Sequence, residues 1–262
     1  MKKERLYQVL LWIFFIIFTA ACILLLREIV IRRQAAEYLG GIQTEYKPSI
    51  TESGLDHDKG DAEDKDNTEE EQTDTGNPTI AALVEKYPDA IGWLTVDGAE
   101  VSHPFVIGED NAEYLRADLD GSYLVTGTLF LDYRCSRDLT DGISIIYGHN
   151  MQDKTMFGKL SRYLDSDYLR ENPDVYISLP EKTLHCTAFA CMVEDASDSP
   201  IYEGVGRSDD ITDVISYISG NADYLNSEVE VDGSSRLLIL STCNPLYFTA
   251  RTILICVIDG TD

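Results

Sequence analysis

Short runs of apolar, β-branched and aromatic residues recur from Asn77 onward, separated by Gly, Asp, Asn and Pro. Eight runs have the length and composition of strands: Gly92–Val96, Val101–Ile107, Gly127–Asp132, Ser144–Tyr147, Val175–Leu179, Leu184–Val193, Leu237–Thr242 and Thr252–Ile258. They do not alternate regularly with helices, which favours a closed barrel over a doubly wound sheet. We therefore predict one mainly β domain with inserted helices.

Helical spacing of apolar residues occurs before and between these runs. It predicts helices over Pro78–Tyr87, Met156–Leu164, Asp167–Glu171 and Asp209–Leu225. Asn77 or Thr79 is placed to cap the first of these helices, and Pro88 ends it.

The N-terminal segment Leu6–Leu26 is apolar except for Tyr7, Gln8 and Thr19. About 20 apolar residues are enough to cross a bilayer as a helix. A cleavable signal peptide and lipidation at Cys22 are the alternatives. Because the apolar run continues past Cys22, we favour an uncleaved anchor. Basic residues on both sides leave its orientation open. We predict a short arm over 1–5, a transmembrane anchor over 6–26 and a juxtamembrane segment over 27–50.

The following segment, 51–78, contains eleven acidic residues against Lys59 and Lys65. High like charge with low hydrophobicity predicts a disordered, extended stalk. The run Asp56–Asp61 suggests calcium binding, but its spacing does not fit an EF-hand loop. The formal net charge of −25 argues against a nucleic-acid partner. The folded domain is expected over 79–262.

The cysteines give no sign of a metal site or a disulfide framework. They are Cys22, Cys135, Cys186, Cys191, Cys243 and Cys256. They form no CxxC pair and no Cys/His cluster with zinc spacing. We therefore expect no metal and no cofactor.

Three residues with catalytic potential lie at or beside predicted strand ends. Cys243 ends one apolar run, His149 follows another, and Arg251 lies eight residues after the cysteine. A thiol, an imidazole and a guanidinium can supply a nucleophile, an acid/base and an anion stabiliser. Taken singly, each also has an ordinary explanation: a buried small side chain, a turn histidine and a strand-start cation.

The residues around this set resemble a known family. Tyr147–Met151 followed by Thr155–Leu160 is similar to the histidine segment of sortases, the transpeptidases of Gram-positive cell surfaces. Leu240–Cys243 resembles the sortase active-site strand, and Arg251 opens the next strand where the family has its arginine. Gly127–Arg134 and the order of the inserted helices are most similar to class B.

The resemblance implies an eight-stranded sortase barrel, an N-terminal anchor with a cytoplasmic N-terminus, and an extracytoplasmic catalytic domain. It makes Cys243 the nucleophile, His149 the acid that protonates the departing amine, and Arg251 the group that holds substrate and stabilises the oxyanion. His103 is the rival imidazole but lacks the matching context, and His185 is expected to be a sheet residue.

The same resemblance implies a substrate groove. Its expected contacts are Asn111, Leu115, Tyr147 and Ser241, and the stretch 197–206 is expected to form the other wall. The implied partners are surface proteins with a C-terminal sorting signal, a peptidoglycan cross-bridge amine as acceptor, and the membrane through the N-terminal helix. The short apolar connection Asn244–Ala250 and the segment His103–Val106 depart from the class B pattern, so specificity stays open.

Three other functions remain compatible with these residues. A thiol hydrolase would use the same set and release the acyl group to water. A non-catalytic surface binding module would keep the barrel alone. A sortase of pilus assembly would transfer to a protein amine.

Overall fold

A computed structural model describes residues 2–49, 76–246 and 248–259. It divides into two units, Met1–Ile42 and Gln43–Asp262, and each is described by itself. Apart from residues 76–78, the predicted acidic stalk over 51–78 lies outside the described residues.

The N-terminal helix α1 (Lys2–Tyr46) is continuous through the predicted anchor and most of the predicted juxtamembrane segment. Its part Leu10–Tyr46 is long and apolar enough to cross a membrane, with a mean hydropathy of 2.5 in the most apolar window. Large apolar side chains such as Trp12 and Phe14 are exposed on it. No break in the helix marks the predicted boundary at Leu26, so the limits of the anchor stay a prediction.

The larger unit is a barrel with helical insertions. Its described strands are β1 (Ala90–Val96), β2 (Val101–Ile107), β3 (Leu129–Leu131), β4 (Ile143–Tyr147), β5 (Asp174–Ser178), β6 (Thr183–Asp195), β7 (Tyr224–Leu225), β8 (Arg236–Cys243) and β9 (Ala250–Ile258). Its described α-helices are α2 (Pro78–Lys86), α3 (Ser166–Glu171), α4 (Pro200–Glu203) and α5 (Thr212–Asn221). Short 3-10 turns cover Asp97–Ala99, Glu113–Leu115 and Leu160–Tyr163.

The strand order β5-β1-β2-β3-β4-β8-β9-β6 closes on itself because β5 pairs with both β1 and β6. The predicted eight-stranded barrel is therefore confirmed, and β7 adds a two-residue strand to the side of β6. Most neighbours are antiparallel, but β2 pairs with β3 and β4 pairs with β8 in parallel. The second parallel pair matters for function, since parallel strands end at the same edge of a sheet.

The strands around the centre of the barrel are buried on both faces. Leu237–Leu240 of β8 and Ile143–Ile146 of β4 are all buried, so their side chains pack alternately into the barrel and under the covering segments. Double-sided burial explains why these strands have continuous apolar runs instead of an alternating pattern.

Two helix predictions need correction. The segment 156–164 is a turn followed by a 3-10 turn, because Met156 has a positive φ of 51° that no α-helix accepts. Its helical pattern arises from Phe157, Leu160 and Tyr163, which are buried in the core. The helix predicted to end at Leu225 ends at Asn221, since Ala222 is extended and the chain then pairs with β6.

The prediction for the first inserted helix is confirmed. Asn77 is its N-cap, with the side-chain oxygen accepting from the backbone N–H of Ile80 at 3.3 Å, and Pro78 lies in its first turn. The predicted strand Gly127–Asp132 is shorter than expected, because the backbone of Gly127 has a φ of +58°.

Candidate active site

The parallel pair β4–β8 brings the ends of two strands together. Tyr147 is in register with Ser241, and the ladder continues beyond β4 because Gly148 N donates to Ser241 O at 3.1 Å. The hydroxyl of Thr242 donates back to Gly148 O at 2.7 Å. The residues that follow these contacts are His149 and Cys243, so the backbone ladder itself places imidazole and thiol at one edge of the barrel.

A side-chain hydrogen bond also connects the segment after β4 to the end of β8. The amide of Asn150 donates to the backbone carbonyl of Cys243 at 2.8 Å. It joins the turn that holds His149 to the end of the cysteine strand.

The hairpin β8–β9 places the guanidinium. Cys243 and Arg251 are directly opposite in the antiparallel register, so their side chains leave the sheet on the same face. Arg251 Nη1 donates to the carbonyls of Phe248 at 3.0 Å and Ala250 at 2.9 Å. Both contacts use one guanidinium nitrogen.

These three side chains line a cleft of about 560 Å³. The predicted contact residues Asn111, Leu115, Tyr147 and Ser241 line the same cleft. Ser197, Ser199, Tyr202 and Glu203 form part of its opposite side, in the stretch expected to form the other wall. The structure thus brings together every site residue predicted from the sequence.

Cys243 is the exposed thiol of the larger unit in the described part of the chain. Cys135, Cys186, Cys191 and Cys256 are all buried. Burial raises the pKa of each of these four thiols, that of Cys135 to about 11, which keeps them protonated and unreactive.

His149 is held by the backbone of the loop before β3. Its Nε2 lies 2.7 Å from the carbonyl oxygen of Leu115. Because a carbonyl can only accept, Nε2 carries a proton, and in the neutral ring Nδ1 is the basic nitrogen. Burial lowers the pKa of His149; the Leu115 contact opposes this and nearby Arg116 adds to it. The imidazole is therefore mainly neutral at pH 7.

The other two histidines of the described part do not line the cleft. His103 on β2 is buried, and burial lowers its pKa to about 4. His185 on β6 is a sheet residue, as expected, and contacts the carboxylates of Asp174 and Asp259.

The sequence analysis singled out neither Asp132 nor Arg134, and it included Tyr202 only as part of the stretch 197–206. Asp132 follows β3, and its side chain contacts Arg134, Asn111 and Tyr147. Tyr202 of α4 shares a 2.7 Å hydrogen bond with the hydroxyl of Ser241. The Asp-Tyr-Arg run after an apolar strand was the available signal for the first two, and Tyr202 has no such signal. Among the described residues, no group of three or more His, Cys, Asp or Glu is placed to hold a metal ion.

No profile of a known protein family matches the chain. The chain is 31% identical over 156 residues to sortase B of Listeria monocytogenes, which covers 60% of this chain and 63% of that protein. It thus spans less than two thirds of this relative. A Streptococcus pyogenes class B sortase involved in pilus biogenesis is similar in structure, with a TM-score of 0.62 and 29% identity over 68% of this chain and 97% of that one.

Sortase B of B. anthracis shares the fold. Its structure gives a TM-score of 0.69 at 21% identity over 88% of this chain and 98% of that one. The chain is thus similar to class B sortases in sequence over part of its length, and the B. anthracis structure shows that it shares their fold.

Proposed function

We propose that this chain, which is similar to class B sortases in sequence and fold, is a membrane-anchored cysteine transpeptidase of that family. It cleaves a peptide bond in the C-terminal sorting signal of surface proteins and transfers the new carboxyl end to a cell-wall amine. The observation that supports this most is the convergence of Cys243, His149 and Arg251 on one cleft by backbone pairing of three strands.

The first half-reaction forms a thioester. The Cys243 thiolate attacks the scissile carbonyl carbon, and the oxygen gains negative charge opposite Arg251, whose guanidinium stabilises it. The tetrahedral intermediate collapses with cleavage of the C–N bond. His149 gives its proton to the leaving amine.

The second half-reaction reverses these roles. The acceptor amine attacks the thioester carbonyl, neutral His149 removes its proton, and the Cys243 thiolate leaves. Two half-reactions that share one acyl intermediate give ping-pong kinetics.

The ionisation of His149 limits the rate. Its imidazolium form must protonate the leaving amine, and the ordinary pKa of about 6.5 for histidine already makes that form the minority at pH 7. The lowered pKa of His149 reduces the imidazolium further. We therefore expect slow turnover in the free enzyme unless bound substrate reorganises the site.

The test uses the full chain in detergent and a peptide library of candidate sorting signals. Rapid acid quench and mass analysis should reveal an acyl adduct on Cys243, which triglycine or a diaminopimelate peptide converts into an amide product. Cys243→Ala should form no adduct, whereas Cys22→Ala should react normally. Products that never contain the amine would show a thiol hydrolase, and the lack of any adduct would favour a non-catalytic binding module.

Pilus assembly is the second candidate. The similar Streptococcus pyogenes protein is a class B sortase involved in pilus biogenesis, and the present chain matches 97% of it at 29% identity. The acceptor separates the two functions: a lysine side chain of a protein subunit for pilus assembly, a cross-bridge amine for wall anchoring. A competition between both amines for the acyl-enzyme would decide.

We further propose that α1 is a single-pass anchor with a cytoplasmic N-terminus and that the barrel lies outside the cell. The length and apolar composition of α1 support the membrane span, and the resemblance to class B sortases supports the orientation. Labelling of an engineered surface cysteine by a membrane-impermeant maleimide on intact cells is the check. Labelling only after lysis would place the barrel inside and contradict the proposal.

A further inference from the structure

A buried carboxylate organises one side of the cleft. The side chain of Asp132, directly after β3, is fully buried and accepts five hydrogen bonds. Its Oδ1 accepts from Arg134 N at 3.1 Å and from Arg134 Nε at 2.8 Å. Its Oδ2 accepts from Arg134 Nη2, Asn111 Nδ2 and the Tyr147 hydroxyl, each at 2.9 Å.

These donors keep the carboxylate ionised. Burial raises the pKa of Asp132, but the hydrogen bonds from Arg134, Asn111 and Tyr147 outweigh it, and the net pKa is lowered. Burial, then the charge of Asp132, raises the pKa of Tyr147, so the phenol is protonated. An ionised carboxylate can only accept hydrogen bonds, so each side chain that contacts Asp132 must donate one to it.

The consequence is that the hydrogen-bond donors and acceptors of Asn111 and Tyr147 have fixed directions. The phenol proton of Tyr147 points to Asp132, which leaves its oxygen lone pairs as acceptors. One N–H of the Asn111 amide also points to Asp132, while its Oδ1 accepts from Tyr133 N at 3.1 Å. A flipped amide would place oxygen against the carboxylate and N–H against N–H. One N–H of Asn111 therefore remains as a donor.

Both groups line the cleft, and both lie within 2.9 Å of one carboxylate oxygen, so they are neighbours. A donor beside an acceptor matches the C=O and N–H groups of a peptide. Arg134 extends the arrangement across the cleft, because its Nη1 donates to the carbonyl of Tyr202 at 3.2 Å. Tyr202 in turn contacts Ser241, two residues before Cys243.

We propose that Asp132 and Arg134 are positioning residues that set the hydrogen-bonding polarity of the cleft for a peptide ligand. The proposal rests on the proposed function in taking that ligand to be a peptide. Asp132 itself does not line the cleft, and it acts through Asn111 and Tyr147. Arg134 keeps the carboxylate of Asp132 ionised, and its contact with the carbonyl of Tyr202 holds the opposite wall of the cleft.

The test compares two alkylating reagents on Cys243 of the full chain in detergent. A pool of peptidyl chloromethyl ketones, randomised at four positions, needs the cleft to recognise a peptide, whereas iodoacetamide needs only the thiol. In Asp132→Asn, we expect the rate with the peptidyl pool to fall about tenfold and the iodoacetamide rate to stay within about twofold. Peptide mapping by mass assigns both rates to Cys243.

Three variants keep the experiment decisive. Asp141→Asn removes another buried carboxylate, which accepts from Ser136 outside the cleft, and should change neither rate. Tyr147→Phe removes only the hydroxyl group and should lower the peptidyl rate selectively, even where Asp132→Asn fails to fold. In the double variant Asp132→Asn/Arg134→Gln, the peptidyl rate should stay low, because charge neutrality alone does not restore the polarity.

Three outcomes would overturn the proposal: an unchanged ratio of the two rates in a folded Asp132→Asn, recovery of the peptidyl rate in the double variant, or a wild-type ratio in Tyr147→Phe. Alkylation needs neither an acyl intermediate nor an acceptor amine. A selective loss of peptidyl alkylation would therefore support the positioning role even if the transfer assay disproved the transpeptidase.

Discussion

The two halves of the cleft are built by different means. In the first, which we call the ladder half, His149, Cys243 and Arg251 lie at the ends of β4, β8 and β9 and are placed by backbone pairing. In the second, the network half, side-chain hydrogen bonds donated to Asp132 and one between Tyr202 and Ser241 hold the residues around the groove.

The difference separates chemistry from recognition. A backbone ladder places strand ends whatever side chains they carry, so the proposed reacting groups keep their positions when neighbours change. A buried polar network depends on each member, because a lost partner leaves another group unsatisfied. Substitutions in the ladder half should therefore act mainly on kcat, and those in the network half mainly on KM.

The largest effect is expected where a reacting group is removed from the ladder half. His149→Gln keeps a polar side chain but cannot shuttle the proton, so kcat for acyl transfer should fall by a factor of about 10² to 10⁴. The measurement is steady-state transfer of a sorting peptide to triglycine. His185→Gln, a substitution of the same type on β6, is the control and should retain activity. Normal turnover in His149→Gln would remove this residue from the mechanism.

A smaller effect of a different kind is expected in the network half. Tyr202→Phe loses the hydrogen bond to Ser241, about 1 kcal/mol, and should raise KM about fivefold with little change in kcat. Tyr168→Phe removes a comparable hydroxyl contact, to the carbonyl of Gly98 outside the cleft, and should leave both constants unchanged. A fall in kcat alone for Tyr202→Phe would contradict the division between the halves.

The ladder half can be weakened without touching a reacting group. Thr242→Val preserves shape but loses the 2.7 Å bond to Gly148 O, one of several contacts between the two strand ends. Because the backbone bond from Gly148 to Ser241 remains, kcat should fall only about threefold, with KM unchanged. Thr187→Val on β6 is the matched control. An increase in KM that exceeds the loss in kcat would mean that the ladder also shapes recognition.

The same contrast explains what the sequence could predict. Apolar runs next to His149 and Cys243 indicated both strands, and Arg251 was a candidate from its place after Cys243. The family resemblance then gave each of the three residues its role. A buried strand leaves a continuous apolar run in the sequence, so the ends of β4 and β8 in the ladder half could be predicted. The Asp-Tyr-Arg run after an apolar strand draws attention to Asp132 as a residue. Asp132 and Tyr202 act, however, through contacts with residues 15 and 39 positions away, and a single sequence has no local signal for such contacts.

The errors in the fold have a related cause. The apolar spacing of 156–164 fits a helix, but the positive φ of Met156 comes from its bridge to Asn150 in the turn that holds His149. Likewise, the pairing of Tyr224–Leu225 with β6 shortens α5. In both places tertiary pairing overrides local periodicity.

The smallest expected effect concerns the electrostatics of His149, where the two halves meet through the Leu115 loop. Burial lowers its pKa and Arg116 lowers it further, so its titration midpoint should lie below 6.5. With a depressed folded-state pKa, the unfolded chain binds more protons below pH 6.5, and the contribution of His149 to stability falls as pH drops through that range.

Arg116→Gln should raise the midpoint slightly by removing a positive charge. Arg137→Gln, whose guanidinium contacts Pro88 and Ala90 instead, should leave it unchanged. NMR titration of the imidazole C–H signals, assigned with His149→Gln, measures both shifts. A midpoint above 6.5 would show that the Leu115 carbonyl outweighs burial, and a larger fraction of His149 would then be imidazolium in the free enzyme.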